Sequence, residues 1–193
     1  EEKIMSLKAK LVSSVAAFML VLALLVVGIL AVPQATVNMG GSITFDATDV
    51  VGSVSVATDG AATDLVAGEN TVSFDAEDTS INFSDFESLN LVFVKDQEIT
   101  LTITVTNAAT DRPMYIKFTK LPVAGGTDVA EITISNATYG AENDRVTLNA
   151  PITVAQNSGT VEIKFTISAS AEAFNNSIDA TWSCAFDLSN TAE

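Results

Sequence analysis

Glu98-Ile99-Thr100-Leu101-Thr102-Ile103-Thr104-Val105-Thr106 decides the fold. Four aliphatic residues alternate with threonines over the whole stretch, and a strand's period of two sends Ile99, Leu101, Ile103 and Val105 to one face and the hydroxyls to the other. Val161–Ile167 repeats the pattern, with Val161, Ile163, Phe165 and Ile167 inward and Glu162, Lys164 and Thr166 outward. These two stretches are the expected centre of the core. Shorter alternations flank them: Ile43 with Phe45, Val54 with Val56, and Val72 with Phe74, each separated by Ser or Thr. Further strands are expected at Leu89–Val94, Met114–Leu121, Glu131–Ala137, Arg145–Leu148, Ile152–Val154 and Ala180–Leu188, the last placing Trp182, Cys184 and Phe186 on one face. Short helical turns are expected only at Ser84–Ser88 and Ala171–Asn175. Strand-sized, β-branched segments bounded by Gly, Asn and Asp, with no long helical period after Val32, predict an all-β, antiparallel β-sandwich.

The chain ahead of these strands has a different character. Leu11–Val32 reads LVSSVAAFMLVLALLVVGILAV, uncharged throughout. As a helix it extends about 33 Å, enough to cross a hydrocarbon core of about 30 Å. Lys3, Lys8 and Lys10 precede it, and Ala31, Val32, Pro33, Gln34 and Ala35 follow with the small residues of a cleavage region. Met5 is a candidate start, with Glu1–Ile4 an upstream extension. Residues 1–35 are therefore expected to be a signal peptide or a membrane anchor, and residues 36–193 a β-sandwich domain. Two readings stay open for the apolar run, removal or retention, and in both it meets the membrane through Leu11–Val32.

Charge points the same way. Of 9 basic and 24 acidic residues, 6 and 22 lie after Ala35, so that part carries about sixteen negative charges in excess. Positive charge ahead of an inserting helix stays cytoplasmic, which sends the acidic bulk to the extracellular side or cell surface. Such a surface repels phosphate backbones and excludes nucleic acid as a partner.

The chemistry-bearing residues are few. Without histidine, and with Cys184 the single cysteine, the chain has no usual general base, no intramolecular disulfide and no common zinc ligand set. The carboxylate pairs Asp75 with Asp78 and Asp85 with Glu87 lack the ordered acidic loop that calcium requires and read as solvated surface. No catalytic residue, metal site or cofactor is expected. Cys184, in phase with Trp182 and Phe186, reads as a buried inert thiol. Lys95, Lys117, Lys120 and Lys164 read as outward charges that discourage stray sheet pairing. Asn82, Asn136 and Asn175 each open an Asn-x-Ser/Thr acceptor for glycosylation.

The run Ala31-Val32-Pro33-Gln34-Ala35-Thr36-Val37-Asn38-Met39-Gly40-Gly41-Ser42-Ile43-Thr44-Phe45, after a Lys-containing lead and a long apolar segment, resembles a known group. It is similar to the leader and first mature strand of secreted proteins matured by a SipW-type signal peptidase, the group that includes the fibre protein TasA and the camelysins. Thr104-Val105-Thr106-Asn107 before Asp111-Arg112-Pro113-Met114-Tyr115-Ile116 looks like that group's strand-turn-strand. The expected class is a jelly-roll or immunoglobulin-like sandwich preceded by an N-terminal hydrophobic helix; the resemblance implies the jelly roll and, as in some members of the group, polymerisation in which one subunit's extended N-terminal segment completes its neighbour's sheet. Camelysins are described as metalloproteases; with no histidine, that activity does not carry over.

Strand donation has a physical basis here. Thr36–Ala47 alternates, holds a Gly40-Gly41 pair read as flexible, and would be freed at its end by leader cleavage, so Thr36, Val37, Met39, Ile43 and Phe45 are candidate donor-strand residues. Equally, the segment is simply the first strand of its own sandwich. The expected function is a structural subunit of a surface filament, pilus or matrix fibre whose partner is itself. The alternatives are a membrane-anchored adhesin or carbohydrate-binding module, and a type IV-like pilin with its helix retained in the filament core.

Overall fold

In the computed structural model, Glu98–Thr106 lies within a ten-residue strand whose Ile99, Leu101, Ile103, Val105 and Asn107 are all buried. The structure describes residues 36–59, 71–75, 81–95, 98–175 and 178–192, with the backbone alone over 81–88 and at 90 and 94. Leu11–Val32 and its flanking lysines lie outside the described residues, as does Asp78; so do the side chains of Asn82, Asp85 and Glu87.

The strands in chain order are β1 (Thr36–Thr48), β2 (Gly52–Asp59), β3 (Thr71–Phe74), β4 (Ile81–Val94), β5 (Glu98–Asn107), β6 (Met114–Gly126), β7 (Ile132–Ile134), β8 (Thr138–Tyr139), β9 (Asp144–Arg145), β10 (Pro151–Val154), β11 (Gly159–Ala169) and β12 (Ala180–Ser189). They form two sheets, one ordered β10-β6-β12-β1-β4 and the other β3-β2-β5-β11-β8-β9 with β7 also on β11. The molecule is a β-sandwich. Its core is continuous between the two inner faces: Phe165 of β11 meets the Trp182 ring edge-on at 5.8 Å, and Phe74 of β3 lies 6.3 Å from Phe45 of β1.

Four expectations need correction. Among the described residues the sheets are antiparallel except at one pair: β1 and β12 run parallel from Gly40 with Thr181 to Thr48 with Ser189. A parallel pair needs a long connection between its strands. The first and last strands satisfy that through the rest of the domain. Second, Ser84–Ser88 is strand within β4, not a helical turn. The three-residue spacing of Phe83, Phe86 and Leu89 imitates a helix, but two bulges absorb the extra residues and set them opposite Phe45, Ile43 and Gly41. Third, Arg145–Leu148 is strand only at its first residue, and Leu148 is 46% exposed while Val146 alone is buried. Fourth, Glu131–Ala137 contracts to β7, with Glu131 closing a 3₁₀ turn at Val129–Glu131.

One buried polar side chain fixes the β5–β6 connection. The Asn107 amide donates from Nδ2 to the carbonyls of Arg112 at 3.0 Å and Val154 at 3.3 Å, while its Oδ1 accepts the Ala109 N–H at 3.0 Å. Truncation removes these partners inside the protein, where an unmade hydrogen bond carries its full desolvation penalty. Asn107→Ala is expected to lower the unfolding free energy by about 2–3 kcal/mol, read as a lower urea midpoint at unchanged slope.

Candidate assembly interface

β1 is an interior strand of its sheet, one in from the β4 edge. Val37, Met39, Gly41, Ile43, Phe45 and Ala47 point inward and are buried, while Thr36, Asn38 and Asp46 are exposed on the other face. The donor-strand candidates thus fall on both faces, with Val37, Met39, Ile43 and Phe45 in the core and Thr36 outside it. On one side β1 pairs with β12 and on the other with β4. Among the described residues β4 pairs with no other strand, so β1 is what joins it to the sheet.

Two inward positions give this seat its shape. Phe45 stacks on Phe186 of β12, centroids 5.4 Å apart and planes 6° from parallel, and Phe186 in turn meets Phe118 of β6 at 5.3 Å. Gly41 lies in register with Trp182. A Cβ built on Gly41 overlaps the indole ring at Nε1, Cε2 and Cδ1, so the ring occupies the space any other residue would need. Trp182 is buried, and its Nε1 has no hydrogen-bond partner among the described residues. Gly41 is therefore a packing hollow within a continuous strand. The parity of the segment carried the signal: a glycine at an inward strand position marks a close neighbour.

Cys184, between Trp182 and Phe186, is in register with Ile43. Burial pushes its thiol up to about 12, against a small lowering by Lys120. An aromatic disulfide reagent at pH 8 is expected to leave Cys184 unmodified in the native chain and to react fully after denaturation, the thiolate being the reactive form.

The outward face carries a charge conflict. Asp46 of β1 lies directly opposite Asp187 of β12, and Lys117 of β6 opposite Asp187 on the other side. Burial, and then the Asp46 charge, raise the Asp187 carboxyl above its ordinary value, while Lys117 pulls it down. A carboxyl held above its unfolded value binds its proton more tightly in the native state; its contribution is most favourable at low pH and is lost as pH rises through the native value. Asp46→Asn is expected to stabilise the domain at pH 7 by less than about 1 kcal/mol, because solvent screens the pair, read as a higher thermal midpoint whose gain shrinks toward pH 4.

The other notable side chains lie apart from this seat. Asn136 is exposed and accepts a hydrogen bond from Arg145 at 2.9 Å, and Asn175 is exposed in the turn after β11. Lys120 donates to Ser183 at 2.7 Å and Lys164 pairs with Glu162 at 2.6 Å, both in the outward setting expected. A cavity of about 460 Å³ opens beside the β8–β9 hairpin, lined by Tyr139, Asn143, Thr160, Glu162 and Lys164 among others. No protein-family model matches the chain, and no curated protein matches it.

Proposed function

We propose that the protein is an extracellular structural subunit of jelly-roll type that assembles into a surface filament by donating β1 to the sheet of a second copy. The observation that carries this reading is the position of β1 as the bridge between β12 and β4, joined to β2 only through Asp49, Val50 and Val51. Asp49 turns the chain with a left-handed φ of 55°, which Asp adopts more readily than most side chains. A short link between a bridging strand and the rest of the domain favours exchange between identical chains. Three residues reach at most about 11 Å, so donor and recipient domains would sit in direct contact. Head-to-tail donation does not close on itself and builds a filament. Leader removal ahead of Thr36 would free the donor strand, and the acidic surface suits an extracellular setting.

The register supplies a direct test. Ile43 and Cys184 are neighbours on β1 and β12, and the chain has no other cysteine. Ile43→Cys is expected to form a disulfide with Cys184 of the neighbouring subunit on oxidation of assembled protein. Non-reducing electrophoresis then shows a ladder of covalent oligomers. A cross-linked monomer as the sole product, from preparations in which electron microscopy shows filaments, would overturn strand donation.

The Tyr139 cavity supports a second reading, an adhesin that holds a sugar ring against the tyrosine with Asn143 and Thr160 serving its hydroxyls. Glycan-array binding that disappears in Tyr139→Ala would favour it; no binding to any glycan would remove it.

A further inference from the structure

Six residues of β1 face inward, and Gly41 alone among them has no Cβ. It sits opposite Trp182, the largest fully buried side chain of the domain. The overlap that a Cβ would make involves three atoms in the middle of a rigid ring, not the end of a chain able to swing aside. Among the described residues Nε1 has no hydrogen-bond partner, and the ring is held by shape between the Gly41 backbone and the edge contact with Phe165.

We infer that Gly41 and Trp182 form a register key that admits only this chain's own first strand, in one alignment, to the slot between β12 and β4. The inference rests on the strand-donation reading above and adds what selects the donor. A strand can slip only by even steps if its apolar face is to stay inward. A two-residue slip brings Met39 or Ile43 onto the indole, and a four-residue slip brings Val37 or Phe45. Each puts a side chain into filled space, which close-packed cores resist. The same hollow excludes alternating apolar strands of other proteins unless a glycine falls at the matching place. The recognised partner is a second copy of this chain.

Synthetic Thr36–Thr48 peptides test the key against the unaltered full-length chain. Three labelled peptides are compared: the parent sequence, Gly41→Ala, and Ser42→Ala as an outward-facing control. Each is present during assembly and scored by its retention on the chain and by filament length. The parent and control peptides are expected to be retained and to shorten filaments, and the Gly41→Ala peptide to need at least a tenfold higher concentration for either effect. Equal potency of all three would overturn the key and leave donation standing. No retention of any peptide would overturn donation, and the key with it.

Discussion

Deletion of Thr36–Ala47 is expected to abolish the cooperative unfolding transition and to leave a chain that binds hydrophobic dyes and forms no filaments. β1 separates β12 from β4, so its loss divides one sheet and leaves β4 without a strand partner among the described residues. Val37, Met39, Ile43 and Phe45 are buried, and burying four such side chains contributes on the order of 10 kcal/mol before entropy is counted. That compares with a total stability of about 5–15 kcal/mol for a domain. Removal also uncovers the inner faces of Trp182, Cys184 and Phe186, which pair with Gly41, Ile43 and Phe45. The near-ultraviolet circular dichroism of Trp182 is the measurement of choice, because the indole rests on Gly41 and loses its fixed surroundings with β1. Addition of the Thr36–Thr48 peptide is expected to restore that signal. A truncated chain that unfolds cooperatively at the parent's midpoint and builds normal filaments would show that β1 is dispensable to both fold and assembly.

The sequence was most readable where alternation was unbroken. Glu98–Thr106 and Val161–Ile167 pair with each other in the structure, Ile103 opposite Ile163 and Leu101 opposite Phe165, because a period of two admits one inward face and excludes every odd-step register. Val161, near the end of that ladder, is only half-buried. Legibility failed where local spacing and tertiary pairing disagreed. Phe83, Phe86 and Leu89 show a helix-like interval, but β1 alongside draws them into a bulged strand, an outcome no local window contains. The parallel β1–β12 pair was hidden for a related reason, since strands at opposite ends of the domain leave no turn sequence to announce their pairing. For the candidate assembly seat, the parity of Thr36–Ala47 identified the core side chains. It did not identify Trp182 as the partner of Gly41 or Asp187 as the neighbour of Asp46, because those pairings depend on which strand lies beside β1.

Phe45→Ala is expected to lower the unfolding free energy by about 3–5 kcal/mol, the cost of emptying a phenylalanine site that cannot fully collapse. Phe45 is 2% exposed and touches both layers of the sandwich: it stacks on Phe186 within its own sheet and lies tilted against Phe74 from the other. Two kinds of loss therefore coincide, apolar burial and an aromatic pairing worth about 0.5–1.5 kcal/mol beyond it. For a domain of this size each kcal/mol moves the thermal midpoint by about 2–4 °C, so a drop of roughly 10–15 °C is expected in calorimetry. Phe45→Leu separates the two contributions, since it refills most of the volume while removing the ring. It should recover more than half of the lost stability. Thr44→Ala, one residue away and outward-facing, should change it by less than about 0.5 kcal/mol. Under strand donation the same ring anchors the donor in the recipient, so Phe45→Ala protein mixed with parent subunits should accept a parent strand yet fail to extend beyond it. Parent filaments grown with an equal amount of the variant should then be markedly shorter than those grown alone. Unchanged length, with the variant shown to be folded at the assay temperature, would mean that Phe45 serves the fold without serving assembly.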